Sequence, residues 1–83
     1  MNSRTTTHQT AMTITYYKNT DSEEIEVKTW QQADHCIIDC DDAVELLEAG
    51  RWIEAHKRTI ADYSVFAAYG DSPYVEVHRL AKN

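Results

Sequence analysis

The stretch Glu24-Ile-Glu-Val-Lys-Thr-Trp30 decides the fold. Ile25 and Val27 fall on one side of it, with Glu24, Glu26 and Lys28 on the other. A period of two marks a half-buried antiparallel strand. Just upstream, Thr13-Ile-Thr-Tyr-Tyr17 carries β-branched and aromatic residues, which suit a pleated surface. The intervening Lys18-Asn-Thr-Asp-Ser22 is a polar turn, with Asn and Asp able to bond their own backbone. Together these runs predict a hairpin in which Ile14 and Tyr16 face the same core as Ile25 and Val27.

The far end of the chain repeats the pattern. In Tyr74-Val-Glu-Val-His-Arg-Leu80, Val75 and Val77 alternate against Tyr74, Glu76 and His78. Ser64-Val-Phe-Ala-Ala-Tyr69 precedes it, and Gly70-Asp-Ser-Pro73 between them is a strong turn by composition. A second hairpin is expected. Between the hairpins, Asp41 and Asp42 are good N-caps, and Asp42 with Glu45 resembles a capping box. Ala43, Leu46, Leu47, Ala49, Ile53, Ile60 and Ala61 follow at three- and four-residue spacing, the stripe of an amphipathic helix. Acids lie early on it, and Lys57 and Arg58 lie near its other end, matching the helix dipole. Gly50 costs about 1 kcal/mol inside a helix and so marks a candidate break, with a second helix starting near Trp52.

Residues 31–39 read two ways. Cys36-Ile-Ile38 is strand-like, whereas Trp30-Gln-Gln-Ala-Asp34 suits a short helical turn; an extended run ending in a loop is the expectation. The predicted class is α+β, in the order ββαββ. An antiparallel sheet of about four strands carries one main helix on one face. With 83 residues there is room for one small core. It is placed at residues 12–83, after a polar, mobile tail at residues 1–11.

Composition excludes several classes. At 42% hydrophobic the chain resembles an ordinary globular domain rather than a disordered one. No run approaches the roughly 20 apolar residues of a membrane span. Met1–Thr10 has no apolar core of the kind a secretory signal needs, so a cytoplasmic protein is expected. Cys36 and Cys40 then read as reduced, buried thiols. His35, Cys36, Asp39, Cys40 and His56 are the right types for zinc, but the spacing is wrong. Along a strand the two cysteines are about 13 Å apart, and neither a Cys-x-x-Cys pair nor a spaced His pair completes a site. No metal and no cofactor are expected.

Catalysis finds no better footing. Adjacent His35 and Cys36 point to opposite faces of a strand. The neighbouring acids Asp41–Asp42 and Glu23–Glu24 lack the burial that tunes a carboxylate. The chain reads as no enzyme. Its aromatics (Tyr16, Tyr17, Trp30, Trp52, Tyr63, Phe66, Tyr69 and Tyr74) suit core packing and cross-strand pairs. Any that are exposed are anchors for a protein partner.

Charge is the most informative feature. The net charge of −6 is uneven. Residues 21–50 hold ten acids, namely Asp21, Glu23, Glu24, Glu26, Asp34, Asp39, Asp41, Asp42, Glu45 and Glu48, against Lys28 alone. Such carboxylates can stand where phosphates would, and attract a basic groove meant for nucleic acid. The same balance disfavours direct contact with nucleic acid or anionic lipid. Taken singly, each acid is an ordinary solvated charge; as a group they are the predicted partner-binding residues.

In size, acidity and hairpin–helix–hairpin order over residues 12–82, the chain resembles small inhibitors encoded by bacteriophages and mobile elements, anti-CRISPR proteins and host polymerase inhibitors among them. The resemblance implies a non-enzymatic, cytoplasmic inhibitor or regulator, with an acidic surface acting as a DNA mimic to block a basic site on its protein partner. The alternative is a structural or accessory subunit docking through a sheet edge or aromatic patch. A homodimer through either feature is an open option.

Overall fold

The structure, a computed structural model, describes residues 12–68 and 72–81; the expected tail and, of the expected second hairpin, Tyr69, Gly70 and Asp71 lie outside them. The N-terminal hairpin forms from β1 (Thr13–Asn19) and β2 (Glu24–Val27), with Tyr16 opposite Val27 and Asn19 opposite Glu24. Thr20 ties its turn: the hydroxyl accepts from the Glu23 amide at 3.0 Å and donates to the Glu23 carbonyl at 2.8 Å. Ile14, Tyr16 and Val27 pack against the core as expected. Ile25 does not, since it lies opposite Lys18 and is exposed.

Residues 30–39 resolve into both of their readings in succession. Trp30–Gln32 is a single 3₁₀ turn, and β3 (His35–Asp39) follows it. β3 makes the sheet five-stranded rather than about four, and the element order βββαββ. It pairs antiparallel with β1, Tyr16 opposite Cys36, and with the last strand, Cys36 opposite Val77. The expected extended run is therefore present and is the central strand of the sheet, preceded by the helical turn.

The helix α1 runs from Ala43 to Ala55. Asp42 is its N-cap, with extended backbone and a carboxylate accepting the Glu45 amide at 2.9 Å. Glu45 reaches back to accept the amide of Asp41 at 2.8 Å, one residue earlier than in the usual box. Gly50 does not break the helix. The stripe ends sooner than its spacing predicts, because a 3₁₀ turn at Lys57–Thr59 redirects the chain and places Ile60 and Ala61 in a strand. That strand, β4 (Ile60–Ala68), pairs with β5 (Ser72–Arg79), Tyr63 opposite Val77 and Val65 opposite Val75. All pairings are antiparallel, in the spatial order β2-β1-β3-β5-β4.

The core lies between α1 and one face of this sheet. Cys36, Ile38, Val75 and Val77 from the two central strands meet Ala49 and Ile53 from the helix, with Trp30, Ala33 and Cys40 closing it. Trp30 sits at one end as a junction. Its indole N–H donates to the Thr59 hydroxyl at 2.7 Å, and its carbonyl accepts from Arg79 at 3.0 Å. The Arg79 guanidinium lies 5.3 Å from its ring, and Trp52 meets the ring edge-on at 5.4 Å. Among the described residues every buried side-chain nitrogen or oxygen has a hydrogen-bond partner.

Candidate functional site

Helix α1 covers only one side of the sheet, so alternate residues of all five strands form a second, uncovered face. The registers place Glu26, Tyr17, His35, His78 and Asp62 in one row across it. The next row holds Thr15, Ile37, Glu76 and Ser64, and the third Thr13, Asp39, Tyr74 and Phe66. Ring stacking follows the rows. Tyr17 stacks on His35 at 5.4 Å, His35 on His78 at 5.6 Å, and Phe66 on Tyr74 at 5.1 Å. The Nε2 of His35 lies 3.4 Å from the Glu24 carboxylate, and that of His78 lies 3.2 Å from Glu76.

Five carboxylates therefore stand on this face: Glu24, Glu26, Asp39, Asp62 and Glu76. Within the strands it holds neither Lys nor Arg. Lys18 belongs to the helix side, Arg79 is engaged with Trp30, and Lys28 has left β2 for the bend that follows. Neighbouring strands are about 4.8 Å apart, so the four steps from β2 to β4 carry the charges over roughly 19 Å.

The ten acids of residues 21–50 do not make one surface. Glu24, Glu26 and Asp39 lie on the open face. Asp21 and Glu23 are exposed in the β1–β2 turn, and Asp34 beside it accepts the Asn19 amide at 2.7 Å. Asp41, Asp42 and Glu48 belong to the beginning and first turns of α1, beyond the other end of β3. That strand separates Asp34 from Asp39 by about 16 Å. Glu48 pairs with Arg51 at 3.0 Å. Glu45 is 1% exposed and offers a partner no carboxylate. Asp62 and Glu76, by contrast, lie outside the acidic segment of the sequence yet share the open face with it.

The sulfur chemistry is closed off. Cys36 and Cys40 are free thiols with no exposed surface. Burial pushes the Cys36 thiol up to about 12. Burial also raises that of Cys40, aided by the carboxylates of Glu45, Asp39, Asp41 and Asp42. Neither is a thiolate nucleophile near neutral pH. His35 is turned to the opposite side of the sheet from Cys36. Among the described residues no three His, Cys, Asp or Glu side chains gather as a metal ion needs. No helix there is long and apolar enough to cross a membrane.

Comparison of the chain with protein-family models, curated proteins and solved structures gives no significant match.

Proposed function

We propose that this protein is a non-enzymatic inhibitor or regulator that lays its open sheet face against a basic surface of a protein partner. The reading rests on one observation: five carboxylates on four strands of an uncovered sheet, with neither Lys nor Arg among them in the strands. Such a field attracts a cationic groove and repels nucleic acid. It competes for the groove by occupying positions where phosphates would neutralise Lys and Arg. Tyr17, Tyr74 and Phe66, interleaved with the acids, supply apolar contact area of the kind that anchors protein interfaces. The face is rigid because it is a sheet, so little ordering entropy is lost on docking.

The test is capture of the partner from the host by the full chain, alongside a variant carrying Glu24→Lys, Glu26→Lys, Asp62→Lys and Glu76→Lys. Capture by the wild type should weaken steeply with added salt, be displaced by nucleic acid, and be lost in the variant while its circular dichroism is kept. Binding indifferent to both salt and charge reversal refutes the reading. That outcome favours an accessory subunit held through the exposed β4 edge, where Tyr63, Val65 and Phe66 are all exposed.

A further inference from the structure

We propose that β4 is the seam of a homodimer, pairing antiparallel with β4 of a second copy to make a continuous ten-stranded sheet. The two sheet edges are built differently. β2 is four residues long and carries two glutamates, and shortness and charge are what discourage strand addition. β4 is nine residues long, contains no Lys, Arg or Pro, and has Asp62 as its one charge. An edge strand leaves the backbone N–H and C=O groups of alternate residues unpaired along its outer side, ready to template another strand.

From Ala61 to Ala67 the side chains of β4 are also exposed. Tyr63 and Val65 lie on the helix side of the sheet, opposite Val77 and Val75, which are fully buried. Tyr63 is nevertheless 52% and Val65 56% exposed, since α1 sits over the central strands and stops short of the edge. Phe66, on the open side, is 40% exposed. A strand that displays apolar groups on both faces and an unguarded edge buries all three together when a second strand is added.

Charge selects a second copy as the occupant. A chain of net charge −6 repels itself wherever its acids face each other. The run Tyr63–Ala68 is uncharged, so this is where two copies approach without that cost. The sequence is also self-complementary. Antiparallel pairing centred on Ser64 sets Tyr63 opposite Val65 twice over, the aromatic with β-branched pair that stabilises sheets. The two Asp62 carboxylates are then offset by four residues, about 13 Å, beyond the Debye length of about 8 Å at physiological salt. This inference does not depend on the open face binding a partner.

The experiment is sedimentation of the full chain over a range of concentrations, beside Val65→Lys and Ile25→Lys. Both residues are exposed, one on each edge strand, so either lysine is accommodated by the fold; a thermal melt of each variant checks this. The wild type should sediment at twice the 9.6 kDa chain mass, Ile25→Lys should do the same, and Val65→Lys should raise the dimer dissociation constant at least tenfold. A wild type that is monomeric throughout overturns the proposal. So does a dimer that survives Val65→Lys, or one that Ile25→Lys dissociates.

Discussion

Replacing Gly50 by Ala should stabilise the protein, and the size of the effect follows from the geometry of α1. Gly50 lies within an unbroken helix, and a Cβ built on it meets no heavy atom within 4 Å. No packing term therefore opposes the gain in helix propensity, which is about 1 kcal/mol for Ala over Gly. An unfolding entropy of about 2.1 cal/mol/K per residue gives roughly 170 cal/mol/K for this chain, so the midpoint should rise by about 6 °C. Far-UV circular dichroism against temperature, with urea titrations to confirm an unchanged m-value, measures it. Gly50→Pro completes the experiment: inside a continuous helix it should cost about 3 kcal/mol or more. An unchanged or lower midpoint for the alanine variant, or a proline variant as stable as wild type, would refute a helix that runs through residue 50.

Removing the N-cap by Asp42→Ala should lower stability by about 1 kcal/mol, read as a reduced urea midpoint. It frees the Glu45 amide bonded at 2.9 Å. Neither cysteine should react with a thiol reagent at neutral pH until the chain is unfolded, when both should. Alkaline pH should then destabilise the fold. The Cys36 thiol rises from 9.0 to about 12 on folding, so above pH 9 the unfolded chain releases its proton first. That contribution to stability is complete below pH 9 and is lost as pH climbs towards 12. Urea midpoints between pH 8 and 11 should fall faster for the wild type than for Cys36→Ala.

Much of the fold is legible in the sequence wherever one face of an element is wet. Alternation marks Glu24–Val27 and Tyr74–Arg79, and the Asp42–Glu45 spacing marks the helix start. His35–Asp39 is obscure because it is the middle strand. Cys36 and Ile38 face the core, and Ile37 between them puts an apolar residue on the open side, so Cys36-Ile-Ile38 reads as an unbroken apolar run rather than an alternation. The helix end is misjudged because Ile60 continues the apolar spacing by coincidence, after a turn that residue types alone do not announce. The open face is harder still. Glu76 and Asp62 join Glu24 there through strand pairing over about 50 residues of sequence, whereas a charge count along the chain groups Glu45 with its exposed neighbours. Marking the outward residues of each strand would have found Glu76 from its place between Val75 and Val77.

The Trp30 junction bears on how folding can be watched. Its partners, Thr59 and Arg79, lie 29 and 49 residues away, so the junction closes only after both hairpins and the helix have come together. Contacts that distant form late, because the loops they close are long. The protein's two indoles, Trp30 and Trp52, sit in that same cluster. The emission of Trp30 therefore reports the last step of assembly, whereas Trp52, stacked on His56 four residues on at 4.1 Å, also responds to the helix alone. A far-UV signal that leads the Trp30 emission in refolding would time the interval between making the pieces and joining them.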